Sequence, residues 1–222
     1  MVNYGVIGCG MMGREHIQNI NLLEHGRVSV VYDPVRELAD AAATLAGEAH
    51  VAGSLAELLA HEALDAVVIV SPNFLHVDQL DEIVRTRPLP ILCEKPLYTK
   101  PEDAARIDAL FEGYPHPVWV AMEYRYMPPV AALIAQAEQA TGGIAMLTIR
   151  EHRFPFLPKI GDWNRFNAKT GGTFVEKCCH FFDLMRVILQ AEPVRVMASA
   201  GQNFNHVEER YEGQVPDILD NG

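Results

Sequence analysis

The sequence predicts an α/β protein in which a doubly wound parallel sheet is followed by a smaller second unit of mixed helix and strand. Three observations predict it. A glycine-rich turn, Gly8-Cys-Gly10-Met-Met-Gly13, joins an apolar run to a helical pattern. Strand-like and helix-like segments then alternate as far as residue 121, and beyond residue 122 that rhythm is lost.

Val2 to Ile7 reads as a buried strand and Met11 to Leu23 as a helix. Gly8 permits the tight turn between them. Gly10 lets main-chain N–H groups approach a pyrophosphate with no Cβ in the way, and Gly13 lets the helix lie close against its strand. The helix N-terminus, opened by Met11 and Met12, then faces the phosphates. Asp33 closes a second run, Val28 to Tyr32, where its carboxylate can accept from an adenosine ribose hydroxyl. The same carboxylate repels a 2′-phosphate, so NAD is favoured over NADP, a preference that Arg36 three residues on could soften. Glycine turns also occur as plain structural loops and in folds that bind S-adenosylmethionine. The combination of strand, helix and acidic residue favours a dinucleotide.

Arg36 to Leu45 reads as a helix, Leu55 to Leu59 as a shorter one, and Leu64 to Val70 as a buried strand ending at the turn Ser71-Pro72-Asn73. Leu75 to Arg85 is helical, Leu89 to Cys93 a strand, Pro101 to Phe111 a helix and Val118 to Ala121 a strand. Parallel α/β sheets bind ligands at the carboxyl ends of their strands. Gly13, Asp33, Ser71 to His76 and Glu94 to Pro96 all follow strand ends, so they should converge on one rim. The second unit offers a helix near Pro129 to Gln139, a strand near Ile144 to His152, an irregular stretch rich in aromatic and basic residues to Lys169, a helix from Thr173 to Leu189 and a strand from Val194 to Ala200. The polar remainder ends in Asp220-Asn-Gly222, a signal of a hairpin loop. One long helix with two or three strands leaves a sheet edge open, so the expectation is a C-terminally truncated piece of a longer protein.

With 222 residues, 49% of them hydrophobic, the chain can bury a substantial core. A formal charge of -11 argues against a nucleic-acid or anionic-membrane surface. No apolar run approaches membrane-spanning length and the N-terminus lacks the features of a secretion signal, so a cytoplasmic protein is expected. Cys9, Cys93, Cys178 and Cys179 suit neither a disulfide framework nor a zinc knuckle. The vicinal pair lies near Glu176 and His180, but no second ligand pair of zinc-like spacing accompanies it, so the expectation is small helix residues and no metal.

Two segments carry residues suited to chemistry. In Glu94-Lys95-Pro96, Lys95 would project from the nucleotide rim, where a lysine can hydrogen-bond a substrate hydroxyl and stabilise developing alkoxide charge. The plainer reading is a surface lysine before a proline turn. In Thr170 to Asp183, Glu176 and His180 are four apart and Asp183 three further, which places them on one helix face beside a packing face of Phe181, Leu184, Met185 and Ile188. Such a stripe reads either as a solvated helix surface or as a general base, His180, whose tautomer and basicity a neighbouring carboxylate sets.

The motifs GVIGCGMMGREH at the start, SPNFLH at 71–76, EKPL at 94–97, EYRYMPPV at 123–130 and GGTFVEKCCHFFDLMR at 171–186, in that order, resemble the Gfo/Idh/MocA oxidoreductases, the group that contains glucose-fructose oxidoreductase and inositol dehydrogenase. The resemblance implies a Rossmann domain over 1–122, a partial C-terminal substrate and oligomerisation domain over 123–222 built on an open, mostly antiparallel sheet, and a nicotinamide held between them. It implies that Lys95 contacts substrate and nicotinamide, and that Glu176 and His180 match the family's D-x-x-x-H motif, the histidine being the proton acceptor. Glu176 departs from the usual Asp by one methylene, enough to change which hydroxyl it meets. Ser71, Pro72, Asn73, His76 and Glu94 are implied to line the cofactor, and Arg125 to lie near the substrate. Trp163, Asn164 and Arg165 stand in a loop that could reach it.

The implied activity is hydride transfer between NAD(P) and a sugar, polyol or inositol-like alcohol, by a protein expected to be a homo-oligomer when full length. Two rivals belong to other classes. An NAD-dependent glycosidase using transient oxidation would release sugar with no net cofactor reduction, and a non-catalytic nucleotide sensor would have no need of Lys95 and His180.

Overall fold

The computed structural model describes residues 1–152 and 155–222; Arg153 and Phe154, within the aromatic and basic stretch, lie outside the described residues. The chain divides into two compact units, Met1–Ala121 and Met122–Gly222.

The first unit is a six-stranded sheet, β1 (Val2–Ile7), β2 (Gly26–Tyr32), β3 (His50–Val51), β4 (Ala66–Ile69), β5 (Ile91–Cys93) and β6 (Val118–Val120), interleaved with α1 (Met11–Asn21), α2 (Arg36–Leu45), α3 (Leu55–Ala60), α4 (His76–Thr86) and α5 (Asp103–Phe111). Every pairing is parallel and the order is β3-β2-β1-β4-β5-β6. That order reverses direction beside β1, the place where a doubly wound sheet opens a crevice for a ligand.

Strand alternation builds two cores from one sheet. Val6 and Val68 pack with Ile17 and Ile20 of α1 and Ala39 and Ala42 of α2, while their neighbours Ile7, Val67 and Ile69 pack with Leu58 of α3, Leu80 and Ile83 of α4 and Ile107 of α5. Tyr4 pairs with Val28 but Gly5 with Val30, so Ser29 is an extra residue. This bulge explains why Val28 and Val30, two apart, enter opposite cores. The two-residue β3 had no counterpart in the sequence reading, because so short a segment carries no period.

The second unit contains α6 (Pro128–Thr141), α7 (Asn167–Thr170), α8 (Thr173–Glu176) and α9 (Cys179–Leu189), with 3₁₀ turns at Glu123–Tyr126 and Ile160–Arg165. Here the structure corrects three expectations. The segments 144–152 and 194–200 form no ladder among the described residues, and the antiparallel pairing present is limited to the bridges Gly201–Asn221 and Tyr211–Gln214. A strand exists only where a neighbour completes its hydrogen bonds, and Val194, Val196 and Met197 are instead exposed. The single helix expected from Thr173 to Leu189 is broken at Lys177 and Cys178, where the main chain leaves α8 at φ -108 before α9 begins. The Asp220 carboxylate accepts the N–H groups of Asn203, Phe204 and Asn205.

Candidate functional site

The carboxyl ends of β1, β2, β4 and β5 bring the first unit's candidate residues into one chain of contacts. Gly8 has φ +99, and a Cβ there would lie 2.7 Å from the Ser71 nitrogen, so the glycine turn and the Ser71–His76 turn fit together only through its missing side chain. A Cβ on Gly13 would stand 2.2 Å from the Gly8 carbonyl oxygen. Asp33 braces the same turn: its Oδ2 accepts the Cys9 N–H at 2.8 Å and its Oδ1 the Val35 N–H at 2.8 Å. Each carboxylate oxygen keeps a second lone pair for a hydroxyl. Burial, with the Asp33 charge, pushes the Cys9 thiol up to about 12, so it is inert beneath the turn.

Two histidines hold the segment that carries Lys95. His16 on α1 donates from Nε2 to Glu94 Oε1 at 2.8 Å, and Glu94 Oε2 accepts the Lys95 N–H at 3.1 Å. Burial works to raise the Glu94 carboxyl, but the His16 hydrogen bond, the His16 and Lys95 charges and the Lys95 N–H outweigh it and hold the group below its ordinary value. From α4, His76 reaches the Pro96 carbonyl through Nδ1 at 2.8 Å and the Ser71 carbonyl through Nε2 at 3.0 Å. His76 has no accessible surface, and burial lowers its pKa against the pull of those two carbonyls. His76 thus ties two rim turns together.

The rim fits a dinucleotide. α1 begins with neither a side-chain cap nor an acidic residue in its first turn, so the N–H groups at Met11 and Met12 are available to an anion. A Cβ at Gly10 would meet nothing within 4 Å, which leaves open space over the turn. Asn73 is buried, and its Nδ2 has no hydrogen-bond partner among the described residues. A buried amide donor in that state is costly unless a ligand completes it. Ser71 and Pro72 lead into the short turn Asn73–Leu75, with the Ser71 hydroxyl donating to Gln79 Oε1 at 2.6 Å.

In the second unit the polar stripe is buried, contrary to the solvated-surface reading. Glu176 is 4%, His180 2% and Asp183 8% exposed. The turn Glu123–Tyr126 covers it. Tyr124 stacks flat on the His180 imidazole, centroids 4.1 Å apart and planes 7° from parallel, and Glu123 Oε1 lies 3.5 Å from His180 Nε2. Arg125 forks onto Asp183, with Nε donating to Oδ2 at 2.6 Å and Nη2 donating to Oδ1. Lys177 donates to the Tyr124 hydroxyl and pairs with Glu151 at 3.1 Å. Arg125, expected near a substrate, is thus engaged in fixing α9, although its side chain stays partly open.

Trp163 and Asn164 do not form a reaching loop. Both are buried, Asn164 completely, and its Nδ2 donates to the Leu157 carbonyl at 2.9 Å. Asn164 Oδ1 is buried with no hydrogen-bond partner among the described residues. Cys178 and Cys179 are half-buried reduced cysteines, at the helix break and at the first residue of α9. Sequence reasoning passed over His16, Glu123, Tyr124, Glu151 and Lys177. His16 was quoted within the opening motif but given no role, since the period of α1 says nothing of a contact 78 residues away. The pairing of Tyr124 with Lys177 likewise spans 53 residues.

Comparison with known proteins agrees with this arrangement. Residues 2–122 match the model of the oxidoreductase family described as having an NAD-binding Rossmann fold, and residues 137–218 match its C-terminal alpha/beta domain. The chain belongs to the Gfo/Idh/MocA oxidoreductase family. An inositol 2-dehydrogenase of Arthrobacter sp. strain FB24 is 36% identical over 204 residues, which cover 89% of this chain and 57% of that protein. The myo-inositol dehydrogenase of Lactobacillus casei, solved in complex with NAD(H) and myo-inositol, is 26% identical with a TM-score of 0.67, covering 86% of this chain and 55% of that one. A myo-inositol dehydrogenase of Corynebacterium glutamicum gives a TM-score of 0.69 at 26% identity, with coverage of 85% and 55%. The chain therefore spans less than two thirds of the length of the relatives it matches. Among the described residues no helix is long and apolar enough to cross a membrane.

Proposed function

We propose that the protein oxidises one carbinol of a polyol, sugar or inositol-like alcohol, with NAD as the electron acceptor. The observation that carries this reading is the His180 imidazole, buried, stacked on Tyr124 and facing the Glu123 carboxylate through Nε2. The Glu123 carboxylate, 3.5 Å from Nε2, supports the imidazole as a base, and in this reading the ring takes the hydroxyl proton. Lys95, on the strand-end rim, is the cation this reading assigns to offsetting alkoxide charge as the C–H bond breaks and C=O forms. NAD, when bound, supplies the acceptor for the hydride. Glu176 orients the remaining hydroxyls of the substrate.

Gly8, Gly10 and Gly13, the N–H groups of Met11 and Met12, the Asp33 carboxylate and the Ser71–Asn73 turn hold the dinucleotide. Arg36, the cation that could accommodate a 2′-phosphate, pairs instead with Asp40 at 2.8 Å, and this supports NAD over NADP. The inositol 2-dehydrogenase relative supports a cyclic polyol over a linear one. The test is incubation with NAD and a panel of polyols, myo-inositol included. Reduced nicotinamide should accumulate in step with ketone, and a silent panel with NAD bound would overturn the assignment.

A further inference from the structure

The proton acceptor faces the Glu123 carboxylate, and the ring stacked on it, Tyr124, is touched by a cation that has no place in the reaction described so far. Lys177 is 9% exposed, although a lysine ammonium is rarely buried unless paired. Its Nζ meets Glu151 at 3.1 Å and the Tyr124 hydroxyl, and lies 4.8 Å from the centre of the Tyr124 ring and 5.4 Å from that of Phe181. The same Tyr124 ring is the one stacked on His180. Among the described residues, the charged and titratable groups gathered around this cluster include Glu123, Tyr124 and Arg125 from the covering turn, Glu151 and Glu176, Lys177 and Cys178 at the helix break, and Asp183 one turn along α9.

We propose that Lys177 is a positioning residue for His180: through Tyr124 it fixes the plane of the imidazole, and its buried positive charge keeps that imidazole neutral and able to accept a proton. The inference rests on the reading of His180 as the proton acceptor. Glu123 favours the imidazolium and Lys177 disfavours it, so the two set the histidine's basicity from opposite sides. Glu151 tempers the lysine and satisfies one of its N–H groups. A neutral packing residue at 177 would hold the ring without this electrostatic effect.

The experiment is a histidine NMR titration of the protein, the His180 signal being identified by its loss in His180→Gln. Lys177→Met should raise the pKa of His180 by about one unit, since removing a nearby cation favours the charged ring. The acid limb of the turnover profile should move up with it, and Lys177→Arg should restore both. An unmoved His180 pKa in a Lys177→Met protein that still binds NAD would overturn the proposal. Should that variant fail to fold, Glu151→Gln decides: it leaves the lysine uncompensated, so the His180 pKa must fall, and a rise or no change contradicts the idea. The titration needs no turnover, so a protein inactive on every alcohol would sink the proposed function while the His180 pKa still decides the role of Lys177.

Discussion

In the first unit the polar groups of the rim hang from the main chain, for Asp33 takes the N–H groups of Cys9 and Val35, His76 joins the carbonyls of Ser71 and Pro96, and Glu94 takes the Lys95 N–H. Around His180 and Glu209 in the second unit, side chains hold side chains. Lys177 meets Tyr124 and Glu151, Arg125 forks onto Asp183, and Glu209 gathers Arg165, His206 and Tyr211. The difference matters for function. A site attached to strand ends is fixed by the sheet and suits a cofactor that always binds in the same way. A site assembled from ion pairs can be retuned by single substitutions, which suits the part of an enzyme that distinguishes one alcohol from another.

The largest expected effect separates the two halves outright. His180→Gln should reduce turnover by roughly 10²–10⁴-fold, the usual contribution of a positioned general base, while NAD affinity, governed by the first unit, stays within about threefold by calorimetry. A matching loss of NAD affinity would break the comparison. Gly13→Ala should do the reverse. Its new methyl would stand 2.2 Å from the Gly8 carbonyl oxygen, so the turn must shift. We expect a stability cost of about 2–3 kcal/mol, typical of overpacking, and NAD binding lost in the same titration that His180→Gln leaves intact.

A smaller effect belongs to the Arg125–Asp183 pair. Asp183 is buried but Arg125 is 39% exposed in its side chain, so solvent screening reduces what a buried pair would contribute. Arg125→Ala should cost about 1–2 kcal/mol in urea unfolding, with the midpoint of first-unit probes unchanged. A cost near zero would make the fork a surface contact. The smallest effect is that of acid on the C-terminal segment. Burial works to raise both Glu209 and Asp220, but hydrogen bonds from Tyr211, His206 and Arg165 on the one, and from the N–H groups of Asn205, Phe204 and Asn203 on the other, hold each at about 2. A carboxylate depressed by folding stabilises fully above its unfolded pKa and loses that contribution as pH falls through the folded value. Amide exchange at 203–205 should therefore accelerate as pH drops from about 3.8 toward 2 after correction for intrinsic rates, and Asp220→Asn should remove that dependence.

Most of the first unit was legible in the sequence because its rules are local. Strand runs, glycine positions and the acid after β2 are read within a few residues, and the parallel order follows from alternation of strand and helix. Even there the contacts of His76 with Ser71 and Pro96 were not visible, since a motif says that a residue is near a rim but not which way its ring turns. In the second unit the glycine pair and the positions of Glu176 and His180 were visible, yet their burial was not. Burial there depends on the turn Glu123–Tyr126, whose contacts with α9 span 58 residues between Arg125 and Asp183. Helical periodicity also overran the break at Lys177 and Cys178, because a tertiary pairing such as that of Lys177 with Glu151 leaves no trace in local spacing.

The central proposal is that this chain takes hydride from one carbinol carbon and the proton from that carbon's hydroxyl, the proton going to His180. It is tested most directly by isotope transfer from a polyol carrying deuterium at the carbon to be oxidised. The account predicts deuterium at C4 of the reduced nicotinamide with the wild-type protein and almost none with His180→Gln. Reduced cofactor without deuterium, or release of free sugar with no reduced cofactor at all, would contradict it.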